Sequence, residues 1–287
     1  MKRCSDAAPA GDQSVAGRHS RGSALISFVG AGPGAADLLT VRAVRTLAKA
    51  DVVLHDSLGC QEALAFCPQA VLIPVGKRAG GASCEQSFIN EALIEQAARG
   101  QHVVRLKGGD PTVFGRLDEE IVAAVDADIP YEIIPGITAA SAAAAHAGLP
   151  LTQRGVARGI TLVTPTVGRG ETPNPGWADA ASAGTTLAIY MAGNRLAKTA
   201  RQLLIAGFAP DTPILIAYGV STAAEHLSYS HLGALGLDEQ FAANLPASPE
   251  TAGHHRAPCL LLAGPAVADR RQLKKSDPAL TAVSHSL

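Results

Sequence analysis

The sequence predicts an α/β fold in two domains, and three observations predict it. Short β-branched runs alternate with helical patterns from Ala24 onward, the alternation restarts after Arg154, and several strands end in glycine-rich turns. With 47% apolar and 17% charged residues in 287, each half has the material for its own core.

In the first half the strand pattern falls at 24–30, 51–56, 70–75, 102–108 and 131–135, with helical patterns at 38–50, 61–66, 84–99 and 117–127. Such alternation implies a largely parallel sheet. In the third helix Phe88, Ile89, Ala92, Leu93, Gln96 and Ala97 recur at helical spacing and predict one apolar face, while Ser83 and Gln86 read as a capping box. Residues 138–148 are almost all small, which favours a helix and lets backbone or ligand come close.

In the second half the strands fall at 160–165, 185–192, 213–220, 225–232 and 258–265, and the helices at 195–207 and 237–245. Residues 168–176 are rich in Gly and Pro and read as a surface loop. The expected division is a domain over 23–137 and a second over 138–267, meeting near 137–155, with polar tails at 1–22 and 268–287. Clefts between domains are favoured ligand sites.

A net charge of -1 gives no basic excess to suit a nucleic-acid partner. No run approaches the ~18 apolar residues of a membrane span, and the first 22 residues lack a signal-peptide core, so no membrane partner and a cytoplasmic location are expected. The five cysteines (Cys4, Cys60, Cys67, Cys84, Cys259) form no CxxC pair, so reduced thiols and no metal centre are expected.

Three strand-ending turns carry the chemistry. Gly30-Ala31-Gly32-Pro33-Gly34-Ala35 satisfies GxGxxA, and Asp51 lies downstream where a dinucleotide site would want a ribose ligand. Pro33 removes a backbone donor where a pyrophosphate would need one, so the loop suits an uncharged or cationic ligand better. Next, Arg105-Leu106-Lys107-Gly108-Gly109-Asp110-Pro111 pairs two glycines, which allow close approach, with the acceptor Asp110, and leads into Phe114-Gly115-Arg116. Arg99, Arg105, Lys107 and Arg116 read as a basic cluster around one sheet edge. Last, Ile134-Pro135-Gly136-Ile137-Thr138-Ala139 opens the small-residue helix, with Thr138 a helix cap or a ligand hydroxyl.

These turns, in this order and together with Val75-Gly76-Lys77-Arg78-Ala79-Gly80 and Leu149-Pro150-Leu151-Thr152-Gln153-Arg154, resemble the tetrapyrrole methylase family. The resemblance spans about residues 25–265 and is strongest before 155. It implies two αβα domains in a homodimer, with S-adenosylmethionine in the interdomain cleft and a tetrapyrrole as substrate. By position it implies cofactor contacts at Pro33, Gly108, Gly109, Asp110, Val113, Thr138, Ala139 and Met191. It makes Asp56 a candidate proton acceptor and Lys77 a candidate proton donor, with Arg116, Glu119 and Arg154 in substrate binding and catalysis. Among family members VGKRAG and RLKGGDPTVFGR match those acting on uroporphyrinogen III, a polycarboxylate that needs cations such as Lys77, Arg78, Arg116, Arg154 and Arg158. The other readings are a later corrin-pathway C-methyltransferase, a nicotinamide oxidoreductase, and a tetrapyrrole-binding homologue without turnover.

Departures from the family pattern gather near the expected cofactor pocket. Ser57 replaces an Arg, Gln153 a His, Pro165 a Gly and Ala192 a Gly, and Tyr218-Gly219-Val220-Ser221 replaces a Glu-x-Gly-Thr-like segment.

Overall fold

The computed structural model describes residues 24–56, 61–75, 86–165, 177–178, 184–245 and 257–268. Lys77, Arg78, Ser57, Ser83, the 168–176 loop, the tail 1–22 and the second tail beyond 268 lie outside the described residues.

Strands β1 (Leu25–Gly30), β2 (Val52–His55), β3 (Val71–Pro74), β4 (His102–Lys107) and β5 (Tyr131–Ile134) form a parallel sheet in the order β3-β2-β4-β1-β5. Parallel strands covered on both faces need continuous apolar runs, and β1 and β4 are buried at all but their first residue. Helix α1 (Val41–Leu47) covers one face, where Ala43 and Leu47 meet Val29, Val53 and Leu106. Helices α2 (Gln86–Ala98) and α3 (Leu117–Asp126) cover the other, where Leu93, Ala97 and Ala124 meet Ile26, Phe28 and Leu54.

Two expectations are corrected in this half. The long 38–50 helix is a 3-10 turn (Ala36–Leu38) followed by α1, because Thr40 starts the helix: its hydroxyl accepts the Ala43 N–H at 3.1 Å. On α2 the buried stripe is Ile89, Leu93 and Ala97, and Phe88 is 51% exposed. Spacing by four defines this narrow face, and Phe88 lies one residue off it.

Helix α4 (Ala139–His146) leads into the second sheet, built from β6 (Gly159–Val163), β7 (Thr185–Tyr190), β8 (Pro213–Tyr218), β9 (His226–His231) and β10 (Cys259–Ala263). The order is β6-β7-β10-β8-β9; β6 and β7 are parallel and the other pairs antiparallel, so this sheet is mixed. Alanines of α4 pack on Ala188, Leu215 and Leu262, while α5 (Leu196–Ile205) and α6 (Leu232–Leu237) pack on the opposite face. The predicted 237–245 helix is α7 (Glu239–Asn244), and α6 stands before it as a helix that the sequence pattern did not predict. Glycines at 233 and 236 hide α6 from propensity, yet a Cβ on Gly236 would stand 2.9 Å from Leu204 and 3.3 Å from the Ala200 Cβ, so glycine lets α6 lie close against α5.

The described cysteines, Cys67 and Cys259, are free and buried. Burial pushes the Cys259 thiol up to about 12, and Tyr218 offsets part of that. The folded value exceeds the ~8.5 of an unfolded thiol, so this contribution to stability is complete below about pH 8.5 and is lost as pH rises toward about 12. Melting temperature is therefore expected to decline through the alkaline range. Iodoacetamide at about pH 8, read by mass spectrometry, is expected to label Cys259 in the denatured chain and spare it in the native one.

Candidate active site

Loops following β1, β4 and β5 converge at the carboxyl edge of the first sheet, where open α/β sheets hold their ligands. The first two are zipped together: the Gly32 N–H donates to the Gly109 carbonyl at 3.1 Å, and the Gly109 N–H to the Gly32 carbonyl at 2.7 Å. Asp110 joins the third loop, its Oδ2 accepting the Gly136 N–H at 3.0 Å and its Oδ1 the Thr112 N–H at 2.8 Å. Gly30, Gly109 and Gly136 interlock as bare backbone; a Cβ on Gly136 would stand 2.2 Å from the Gly109 carbonyl oxygen. A Cβ on Gly109 would meet nothing within 4 Å, so its outer side faces open space. Main chain rather than charge therefore lines this cradle, with Gly108 exposed beside it. Such a surface fits a sulfonium-bearing nucleoside, which needs acceptors and close approach and no phosphate-binding nest.

Thr138 occupies the cap position of α4, but its hydroxyl lies 2.6 Å from the Tyr190 hydroxyl and makes no capping bond. The Ala140 N–H donates to the same Tyr190 oxygen at 3.3 Å, and the Phe114 ring lies 5.1 Å from the Tyr190 ring. Burial pushes the Tyr190 phenol up, against the lowering effect of its Thr138 and Ala140 bonds, so it stays protonated. Tyr190 thus ties the GGDP–FGR loop and the start of α4 to the second sheet. Sequence reasoning passed over it; its place directly before Met191, as an aromatic ending a strand, was the available signal. Met191 follows with φ 57° and 48% exposure. The Pro33 loop is fastened to the second domain as well, since the Ala35 N–H donates to Ser221 Oγ at 3.1 Å. Ser221, one of the departures from the family pattern, is therefore an interdomain contact.

Asp56 directly follows the second strand, and Arg105 donates to its Oδ1 at 2.7 Å. This corrects the basic cluster. Arg105 and Lys107 are buried and paired with Glu120 and, for Arg105, Asp56; Arg99 pairs with Glu95 on the surface of α2. Arg105 and Lys107 point into the layer between sheet and α3, where only paired charge is tolerated. Arg116 is exposed and grips Glu119 with two bonds, Nε–Oε1 at 2.6 Å and Nη2–Oε2 at 2.7 Å. It borders a concavity of about 360 Å³ lined also by Pro111, Phe114 and Ile121. Arg154 is exposed in a turn closed by the Gln153–Ala157 bridge.

Two other constellations are set aside. Asp51 accepts the His102 N–H at 2.8 Å at the amino edge of the sheet, the wrong edge for a ribose ligand. Ser27, His102 and Glu132 lie within hydrogen-bonding distance of one another through the Ser27 hydroxyl, which is completely buried and out of reach of any substrate.

Residues 25–236 match the family described as Tetrapyrrole (Corrin/Porphyrin) Methylases. A uroporphyrinogen-III C-methyltransferase of Pseudomonas aeruginosa is 44% identical over 227 residues, covering 78% of this chain and 91% of that one. One of Paracoccus denitrificans is 45% identical over 216 residues, 75% of each. The crystal structure of uroporphyrin-III C-methyltransferase from Thermus thermophilus, complexed with S-adenosylhomocysteine, superposes with a TM-score of 0.68 at 33% identity, covering 85% of this chain and 93% of that one.

Proposed function

The chain belongs to the tetrapyrrole methylase family, and from that premise we propose that it transfers two methyl groups from S-adenosylmethionine to carbons of uroporphyrinogen III, giving precorrin-2 for siroheme or corrinoid synthesis. The observation that carries this reading is the meeting of three glycine turns at one sheet edge, with Asp56 directly after β2 and the Arg116–Glu119 pair beside them. A homodimer is part of the proposal, supported by exposed Ile160 and Leu162 on the edge strand β6. So are a division of the chain at 137/138, supported by the packing of α4 on the second sheet, and a cytoplasmic location. No helix among the described residues is long and apolar enough to cross a membrane, and no group of His, Cys, Asp and Glu among them could hold a metal ion.

When bound, S-adenosylmethionine supplies an electrophilic methyl on a sulfonium. Pro33, Gly108, Gly109, Asp110, Val113, Thr138, Ala139 and Met191 would hold it, the glycines by close approach and Met191 from the second domain. The remaining work belongs to the protein: it aligns a nucleophilic ring carbon with the methyl and manages one proton. Arg116 and Arg154 offer planar forks to substrate carboxylates, and Asp56 takes the proton released from the methylated ring. Lys77, outside the described residues, is assigned as proton donor from the resemblance alone.

The test is to incubate the protein with uroporphyrinogen III and methyl-labelled S-adenosylmethionine and count methyls per tetrapyrrole by mass spectrometry. Two methyls are expected, together with calorimetric binding of S-adenosylhomocysteine that needs no divalent ion. Methylation only of a later corrin intermediate would reassign the substrate. Tetrapyrrole binding without transfer would identify a non-catalytic homologue, and a requirement for a metal would overturn the site as drawn.

A further inference from the structure

Behind Asp56 lies a chain of buried charges that the reaction as described above does not use. Glu120, on α3, has a completely buried side chain, and Arg105 and Lys107, on β4, are 4% exposed; Asp56, at 32%, is the member that reaches the surface. Glu120 Oε1 accepts from Arg105 Nε at 2.9 Å and from Gln86 Nε2 at 3.3 Å, and Oε2 accepts from Lys107 Nζ at 2.6 Å. Arg105 spends its other nitrogens on the Leu106 carbonyl at 3.0 Å and on Asp56 Oδ1 at 2.7 Å. The guanidinium plane is thus held at three points, and it delivers one nitrogen to Asp56 in a fixed place. Two cations and two carboxylates cancel, so the array is neutral with Asp56 ionised.

Stability alone is a poor reason for this array, because a buried ion cluster is commonly no more stabilising than apolar side chains of the same volume. Its specific product is a carboxylate at the cleft whose position is set from behind. We propose that Glu120 is a positioning residue for methyl transfer: through Arg105 it fixes the Asp56 carboxylate that receives the ring proton. The proposal rests on the reading of Asp56 as proton acceptor. Lys107 has a supporting part. Burial and the neighbouring Arg105 push its ammonium down and Glu120 opposes them, and its Nζ lies 2.6 Å from Glu120 Oε2 as the second anchor of that carboxylate. The groups facing Asp56 among the described residues are Arg105 and Lys107 from β4, Glu120 from α3 behind them, and the adjacent His55, whose Nδ1 lies 3.1 Å from the Asp56 carbonyl.

The experiment is a double-mutant cycle with Glu120→Gln and Asp56→Asn, measuring kcat, KM for uroporphyrinogen III, affinity for S-adenosylhomocysteine and melting temperature. Glu120→Gln keeps the shape and removes the charge. It is expected to lower kcat by at least about tenfold, with KM and cofactor affinity within about threefold of the parent, since a misplaced acid–base group loses rate rather than binding. Added to Asp56→Asn, it is expected to lower kcat no further, although its loss in melting temperature persists. Should Glu120→Gln fail to fold, Arg105→Lys carries the same cycle: it leaves a cation between the carboxylates but cannot bond both in one plane. A full further fall of kcat in the Asp56→Asn background, or unchanged kcat in the single variant, overturns the proposal. Unchanged kcat in Asp56→Asn overturns the proton-acceptor reading itself and the proposal with it, so the two failures are separable.

Discussion

Gly136→Ala is expected to lower methyl transfer by about a hundredfold, the rate that about 1 Å of misplacement can cost, and to weaken binding of S-adenosylhomocysteine with it. The added Cβ would stand 2.2 Å from the Gly109 carbonyl oxygen and 2.9 Å from the Gly30 Cα, and all of these neighbours are backbone. No side chain can rotate away; the end of β5 or the GGDP turn must move. That movement would pull on the Gly136 N–H bond to Asp110 and on the paired Gly32–Gly109 bonds, the contacts that shape the cradle. Overpacking of this kind also costs about 1–3 kcal/mol of stability, or several degrees of melting temperature in a chain of this size. Gly207→Ala is the control. Gly207 has φ 93° and open space where a Cβ would go, so the substitution is strained by roughly 1 kcal/mol but remote from the cradle. Titration calorimetry on both variants separates the two effects: near-native affinity in Gly136→Ala would mean that the glycine junction does not shape the binding surface.

The two-domain α/β architecture was legible because buried parallel and central strands must be written as apolar runs. β1, β8 and β10 are nearly continuous apolar runs, while β4 is buried as they are yet carries Arg105 and Lys107. The mixed direction of the second sheet was not legible, since strand polarity follows from connections rather than from the strand's own residues. Within the site, adjacency along the chain was readable and partnership across it was not. Asp118, Glu119 and Glu120 stand in a row on α3, and the sequence reading selected Glu119 for the site. Successive helical residues turn by about 100°, so neighbours face different ways. Leu117, Glu120 and Ala124 share the buried side, a spacing of three and four that placed Glu120 inward. The same blindness made Arg105 and Lys107 look like free cations, because their carboxylate partners lie 13 to 49 positions away. In the second domain, Ser221 reads from the sequence only as a departure near the expected cofactor pocket, while its hydroxyl accepts from the Ala35 N–H of the Pro33 loop.

Arg116→Gly is expected to leave the melting temperature unchanged or raise it slightly while methyl transfer falls by about tenfold to a hundredfold. The opposite signs follow from the backbone. Arg116 adopts φ 52°, in the left-handed region that costs a residue with a Cβ about 1–2 kcal/mol and glycine almost nothing. Its ion pair with Glu119 joins side chains 60% and 40% exposed, and such pairs return only about 0.2–1 kcal/mol. Relief of strain therefore matches or exceeds the lost pair. A strained arginine beside the concavity that Phe114 and Ile121 also line fits the substrate-binding role proposed for it. In the proposed reaction the two bonds from Glu119 hold the guanidinium in one orientation, in which it would meet a propionate or acetate of the substrate. Arg116→Lys keeps the charge without the planar fork, so it should lose turnover as well, with S-adenosylhomocysteine still bound at near-native affinity. Steady-state kinetics, calorimetry and thermal melts on the two variants decide it. Full turnover in both would remove Arg116 from the site, and a large drop in melting temperature for Arg116→Gly would make the Glu119 pair a structural one.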